Sequence, residues 1–209
     1  MRLYVFGAGG HAKVVVSTAL SLGMSVEGIF DDDLEKQGSE VLGIKVIGTM
    51  ADAQKKTPEC GVLAVGNNKI RQKLAQSLKG WEWVTLIHPK AYVHPRAYLG
   101  VGTVVFAGVV IQPDVRVGVH SIINTGATVD HDCEIGDFVH LAPGVNLAGN
   151  VRIGEGTFVG IGTVILPGVK IGAWTTIGAG TVVREDLPSG VTAVGVPARI
   201  VKTPTNMRG

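Results

Sequence analysis

The stretch Ile135-Gly136-Asp137-Phe138-Val139-His140-Leu141-Ala142-Pro143-Gly144-Val145-Asn146-Leu147-Ala148-Gly149-Asn150-Val151-Arg152-Ile153 decides the fold of this chain. An aliphatic residue returns every sixth position, at 135, 141, 147 and 153, and a valine stands four residues after each of the first three. An α-helix would repeat its apolar residues at three and four, not at a strict six. Two inward residues per hexad, one large and one small, fit a short flat strand followed by a turn. Three such sides close a triangular coil.

Outward from that stretch, the register runs unbroken from Ile87 to Val183, with Ile, Val or Leu at every sixth position. A second beat lies four residues later and holds small or β-branched residues, among them Thr103, Val109, Ser121, Cys133, Thr157 and Thr181. A third beat has triple the period: Gly100, Gly118, Gly136, Gly154 and Gly172 stand 18 residues apart. These glycines are expected at corners that need positive φ. Stacked coils would pair through parallel backbone hydrogen bonds about 4.8 Å apart, giving a rod roughly 27 Å tall. The repeat therefore predicts a hexapeptide β-helix.

The first eighty residues follow another rule. Leu3 to Phe6 reads as a strand running into Gly7-Ala8-Gly9-Gly10-His11-Ala12, with a helix from Lys13 to Leu22 behind it. Val26 to Phe30 is a second strand ending in Asp31-Asp32-Asp33, and Ile44 to Ile47 and Gly61 to Val65 add further strands. A helix is expected over Asn68 to Leu78 and a last strand over Trp83 to Ile87. Such alternation predicts a small parallel sheet with crossover helices, a Rossmann-like domain over 1–83 followed by the rod over 84–209. Gly7, Gly9 and Ala12 match the dinucleotide-binding spacing, with an acidic residue about twenty positions on. About eighty residues leave no room for a two-halved cofactor domain, so a pocket for a nucleotide-linked substrate fits the same backbone physics better.

Composition narrows the rest. A formal net charge of +2 without a basic block disfavours a nucleic-acid surface. Two cysteines, Cys60 and Cys133, make no disulfide framework. No apolar run reaches the length of a membrane span, and Gly7 to Lys13 interrupts the start of the chain too early for a secretory signal. The expected compartment is the cytoplasm, without membrane insertion.

The rod pattern, together with Gly195-Val196-Pro197-Ala198-Arg199, resembles the left-handed parallel β-helix of hexapeptide-repeat acyltransferases. The Gly-Ala-Gly-Gly-His start, the Phe-Asp-Asp strand end and the segment Val65 to Arg71 are similar to one subgroup. That subgroup is the bacterial sugar acetyltransferases of the PglD and NeuD type, which use acetyl-CoA and nucleotide-activated amino sugars. The resemblance implies transfer of an acetyl group to an amine or hydroxyl, with a UDP-4-amino sugar the leading acceptor. It also implies no catalytic metal and a homotrimer with active sites between rods. The outward apolar residues Phe106, Val110, Leu166 and Trp174 agree with an assembly, being more than a lone prism would leave in water.

Asp130-His131-Asp132 is the most chemically loaded corner of the rod. Acetyl transfer needs the acceptor's proton removed as it attacks, and a neutral imidazole suits that task. The resemblance assigns His131 as base and Asp132 as its acidic support, one methylene shorter than the Glu of some relatives. Gly149 would offer a backbone amide to the developing oxyanion. By the same resemblance, His140, Ile161 and Ala179 line the acetyl-CoA. Gly9, Gly10, His11, Asp31, Asp32 and Gly66 would hold the nucleotide sugar, with His11 near a diphosphate. Asn67 and Asn68 serve equally well as ligand contacts or as caps of the following helix. Three further readings compete: a sialic acid-type O-acetyltransferase, a metal hydratase of the carbonic anhydrase type, and a silent nucleotide-sensing scaffold. The hydratase needs three clustered histidines, whereas His120, His131 and His140 are separated by eleven and nine residues.

Overall fold

The computed structural model describes residues 2–203; residue 1 and residues 204–209, the outer ends of the two expected domains, lie outside the described residues. The first part is a sheet of β1 (Arg2–Phe6), β2 (Ser25–Phe30), β3 (Glu40–Val41), β4 (Ile44–Gly48), β5 (Cys60–Leu63) and β6 (Glu82–Trp83). The spatial order is β3-β4-β2-β1-β5-β6, parallel throughout except for the β3–β4 hairpin at one edge. The helices are α1 (Gly10–Ser21), α2 (Met50–Lys55) and α3 (Asn68–Ser77). The chain turns to opposite sides of β1 after β1 and after β4, so the loops following β1, β2 and β5 meet over the carboxyl ends of the strands. Open α/β sheets bind ligands in that crevice.

Two expected elements differ. Helix α1 begins at Gly10, three residues before the expected Lys13, because Gly9 already supplies the extended N-cap backbone. The single strand expected over Trp83 to Ile87 is two. Glu82–Trp83 pairs with β5, while Leu86–Ile87 pairs with Val104–Val105 as the first step of the rod. The sheet and the rod are thus two hydrogen-bonded systems separated by a two-residue step.

From Leu86 to Val183 the chain coils into three parallel sheets of two-residue strands, and Thr192–Val194 and the antiparallel Arg199–Lys202 extend the first of them. Face one carries Leu86, Val104, Ile122, His140 and Phe158 as first residues of its strands. Face two carries Tyr92, Val110, Thr128, Asn146, Val164 and Val182, and face three Tyr98, Arg116, Glu134, Arg152 and Lys170. The in-phase aliphatics fill the interior. The inward Thr and Ser residues are tolerated because each hydroxyl finds a backbone partner, as in Thr103 Oγ1 to Gly118 O at 2.7 Å and Ser121 Oγ to Gly136 O at 2.9 Å, while Thr181 Oγ1 accepts from Gly195 N at 3.3 Å.

The expectation for the 18-residue glycines is overturned in its cause. Gly100, Gly118, Gly136, Gly154 and Gly172 are absent from the positive-φ positions. They are required by close backbone approach: a Cβ on Gly136 would stand 2.7 Å from Glu155 N, and one on Gly154 2.5 Å from Ala173 N. Positive φ falls instead at every sixth residue from 102 to 180, one per corner. The three edges of the prism differ in what they place there. Between faces one and two stand Gly108, Gly126, Gly144, Gly162 and Gly180. Between faces two and three stand Asp114, Asp132, Asn150 and Gly168. Between faces three and one stand Gly102, His120, Phe138, Gly156 and Trp174.

The sheet domain sits on face one. Leu86, Val104, Phe106 and Ile122 share one buried core with Ala12, Val15, Val16 and Ala19 of α1 and with Leu3 and Val5 of β1. Burying a side chain such as Phe106 contributes about 1.5–3 kcal/mol. Phe106, expected on an outer apolar face, is therefore fully buried within the chain, and Trp174 is half-buried at the aromatic edge beside Lys69. Among the described residues no helix is long and apolar enough to cross a membrane.

Candidate active site

The edge between faces two and three presents Asp130, His131 and Asp132 to solvent. Asp132 takes the left-handed corner at φ 58°, a conformation that Asp tolerates better than most residues. Its Oδ2 lies 2.7 Å from His131 Nδ1, and Asp130 Oδ1 accepts from the His131 amide at 2.8 Å. A carboxylate only accepts, so Nδ1 carries the proton and Nε2 is left as the free basic nitrogen. The hydrogen bond to Asp132, reinforced by the charges of Asp130 and Asp132, raises the His131 pKa above the ordinary imidazole value. The shorter Asp side chain thus reaches the ring.

Gly149 lies one coil above His131. A Cβ there would stand 2.6 Å from His131 Cε1 and 2.7 Å from Nε2, so glycine makes the space that the imidazole occupies. Among the described residues the Gly149 amide donates to no protein acceptor, and the equivalent corners one coil above and two coils below hold Pro167 and Pro113, which have no amide proton.

His140 has the opposite surroundings. It is buried against the sheet domain, with Nδ1 3.3 Å from Gly66 O and Nε2 3.1 Å from Asn124 Nδ2. Asn124 Oδ1 accepts from Thr125 N at 2.8 Å, which fixes its amide nitrogen toward the ring. Both His140 nitrogens are engaged within the protein, Nδ1 as donor and Nε2 as acceptor. Burial first, then the charge of Arg71, lowers its pKa to about 3. His11 lies 6.0 Å away ring to ring and packs at 5.4 Å against Phe106. Its Nε2 is buried without a partner among the described residues, and burial lowers its pKa to about 4. A neutral, inward-turned His11 brings no positive charge to a diphosphate. The exposed Gly9 and Gly10 at the start of α1, where a Cβ would meet nothing within 4 Å, are the open part of that loop.

Asp31 holds the same loop in shape. Its Oδ2 accepts from Ala8 N at 2.6 Å and its Oδ1 from Asp33 N at 2.9 Å, while Asp32 Oδ1 accepts from Met50 N at 2.8 Å. Asn67 caps α3 through Ile70 N at 3.1 Å. Asn68 is buried and reaches the rod instead, donating to Gly156 O at 3.0 Å. The structure therefore distributes the expected residues over four places, of which the loops after β1 and β2 hold Gly9, Gly10, Asp31 and Asp32. His131, Asp132 and Gly149 share one edge, His11, Gly66 and His140 meet beneath the sheet domain, and the exposed Ile161 and Ala179 lie along the glycine edge. A cleft of about 400 Å³ beside Gly66 is lined by Asn67, Lys69, Phe158, Trp174 and Thr176. His120 is buried at the aromatic edge, stacked at 5.4 Å on Phe138, so His120, His131 and His140 occupy different sides of the prism. Arg71, the last residue of the Val65 to Arg71 segment, and Asn124 organise the cluster at Gly66, and the sequence reading assigned a role to neither.

Residues 2–78 match the family model of the PglD N-terminal domain, and residues 150–185 match that of the bacterial transferase hexapeptide (six repeats). The acetyltransferase domain of PglB from Neisseria gonorrhoeae FA1090, solved with acetyl coenzyme A, superposes with a TM-score of 0.91 at 41% identity, covering 96% of this chain and 98% of that one. PerB from Caulobacter crescentus, solved with CoA and GDP-perosamine, gives 0.91 at 43% identity over 97% and 98%. The UDP-N-acetylbacillosamine N-acetyltransferase of Bacillus subtilis is 39% identical over 108 residues, 49% of this chain. The match spans half or less of the length of the curated relatives.

Proposed function

Since the chain belongs to the hexapeptide-repeat sugar acetyltransferases, with a PglD-type sheet domain on a left-handed β-helix, we propose that it moves the acetyl group of acetyl-CoA to the amine of a nucleotide-activated amino sugar. The observation that carries this reading is the His131–Asp132 pair, whose 2.7 Å hydrogen bond holds the proton of the neutral ring on Nδ1 and leaves Nε2 as its basic nitrogen, on an exposed corner. As the acceptor nitrogen attacks the thioester carbonyl, His131 Nε2 takes its proton. Asp132 stabilises the imidazolium that forms. The Gly149 amide faces the oxygen that gains charge, and the C–S bond then breaks with the proton passing from His131 to the departing thiolate. Backbone donors suit such work because they are held in place before the reaction.

Ile161 and Ala179 support a coenzyme track along the glycine edge, where the absence of side chains at the corners leaves a smooth wall. His140 would steady that wall from behind. Gly9, Gly10, Asp31, Asp32 and Gly66 form the nucleotide-sugar lip, with His11 as a neutral wall. The base and the lip lie on different sides of one chain, which supports a homotrimer. The glycine edge and the His131 edge flank face two, where Tyr92, Val164 and Leu166 are exposed. A threefold arrangement around face two would set His131 of one rod against the glycine edge of the next.

UDP is the nucleotide expected from the sequence reading, and GDP, the nucleotide of the Caulobacter ligand, is its rival. Turnover is measured as free thiol released from acetyl-CoA with UDP-, GDP- and CMP-linked amino sugars. An amide proton in the product's NMR spectrum and resistance of the acetyl group to hydroxylamine place it on nitrogen. Absence of turnover with all three, or acetylation of a hydroxyl alone, refutes this assignment.

A further inference from the structure

One buried side chain ties the nucleotide-sugar lip to the rod and takes no part in the scheme above. Arg71 of α3 is 1% exposed. Its Nε donates to His120 O at 2.8 Å and its Nη2 to Phe138 O at 2.8 Å. These two carbonyls belong to corner residues one coil apart on the aromatic edge. The rod uses the amides of both residues, to Val101 O and Val119 O, and among the described residues the carbonyls are paired only by α3. Asn68, one turn earlier on α3, takes the corner carbonyl of the next coil, Gly156 O. Helix α3 therefore reads three consecutive coils through their backbone.

The other side of the guanidinium faces the sheet domain. Nη1 donates to Val65 O at 3.0 Å and Gly66 O at 3.3 Å, and Nη2 to Asn68 Oδ1 at 2.9 Å. Among the described residues no carboxylate pairs with Arg71, so its charge is balanced by oriented carbonyl dipoles. A planar fork can serve two coils and a loop at once. A lysine ammonium, a point charge with three rotatable donors, cannot reproduce that geometry. Gly66 O, which Arg71 holds, is also the acceptor for His140 Nδ1.

We propose that Arg71 is a positioning residue for the acceptor site: it fixes the Val65–Gly66 carbonyls against the rod and, through Gly66, sets the ring of His140 beneath the coenzyme wall. The kinetic consequence rests on the acetyltransferase reading; the geometric one does not. The carbonyls that Arg71 fixes belong to the nucleotide-sugar lip, so its loss is read as weaker binding of the acceptor in ground and transition state alike and not as a slower chemical step.

The test uses the full chain carrying Arg71→Lys, which keeps the charge and loses the fork. Two readouts are taken: KM and kcat with the nucleotide sugar that the unsubstituted protein turns over, and the ¹⁵N shifts of the His140 ring. The expected result is a rise of about tenfold in KM for the nucleotide sugar with kcat and the acetyl-CoA KM within about threefold. The His140 shifts, those of an Nδ1–H tautomer in the unsubstituted protein, should move toward averaged values. Asn68→Ser, which removes one partner of Nη2 and leaves Arg71 in place, should shift both readouts in the same direction by less, and it decides the matter if Arg71→Lys does not fold. An unchanged KM, or a His140 ring that keeps its tautomer while only the melting temperature falls, overturns the proposal. If the unsubstituted protein turns over no nucleotide sugar, the acetyltransferase reading fails by itself and the ring shifts alone decide the role of Arg71.

Discussion

His131 and His140 stand nine residues apart on one rod and are driven in opposite directions. His131 lies at an exposed corner between two aspartates, one hydrogen-bonded to its ring, and its pKa is raised. His140 lies on a covered face with a carbonyl and an amide on its two nitrogens, near Arg71, and its pKa is lowered to about 3. The backbone is the same hexad in both cases. What differs is whether the sheet domain covers the position and which charge stands beside it. An imidazole that must exchange protons near neutral pH needs the first setting. The second makes a neutral strut.

The contrast breaks most visibly at His131. His131→Ala should lower turnover by about 10²–10⁴-fold, the worth of general-base catalysis, with the melting temperature unchanged. Steady-state kinetics beside thermal unfolding reads both, and near-full turnover would show that the base is elsewhere. His140→Ala should do the reverse, lowering stability chiefly because Asn124 and Gly66 lose their partner.

Gly149→Ala probes the shape of the same corner. An added Cβ must displace the imidazole, and a fall in kcat on the order of a hundredfold is expected with little change in acetyl-CoA affinity. A change confined to the acetyl-CoA KM would instead make Gly149 a coenzyme contact.

Asp132→Asn removes the carboxylate and keeps the side-chain volume. Turnover should fall by about tenfold, the worth of one charge-assisted hydrogen bond. The acid limb of the pH–rate profile should move to lower pH, because His131 loses the group that raises its pKa. A limb that stays in place would mean that another group sets it.

The smallest effect is read on stability. His11, His120 and His140 have folded pKa values of about 4, about 4 and about 3, all lowered chiefly by burial. The unfolded chain, with ordinary imidazoles near 6.5, therefore binds more protons than the folded one between the two values. Stability should be full above about pH 6.5 and decline as pH falls toward 4. His140→Gln should make that decline shallower by up to about 1.4 kcal/mol per pH unit in urea titrations. An identical slope would show that His140 is not neutral in the folded protein.

Much of the fold was legible because the rod is built by local repetition. Each hexad carries its own inward pair, so seventeen aliphatics in phase could be read without any long-range contact. The glycine column shows the limit of such reading. Its 18-residue spacing was visible, but a glycine can answer to a positive φ or to a close neighbour, and only the stacked coils reveal that the neighbour is backbone of the next turn. Phe106 is a similar case. Its outward register was read correctly, while the domain that covers it comes from a hundred residues earlier in the chain.

For the candidate site, the sequence by itself determined the Asp130-His131-Asp132 corner, because adjacent residues on a two-residue strand and its turn must share one edge. It also placed Gly7 to Gly10 and Asp31 at strand ends, since strand ends follow from hydropathy alone. Tertiary structure decided which side of each histidine is wet, which carboxylate is already spent on a loop, and that Gly149 is glycine to admit a ring one coil below. It also decided that Arg71, the last residue of the Val65 to Arg71 segment, is a buried polar link between the two domains. Burial and charge proximity depend on segments far apart in the chain. A periodic pattern records what each residue faces along its own coil and holds no record of what is later laid against it.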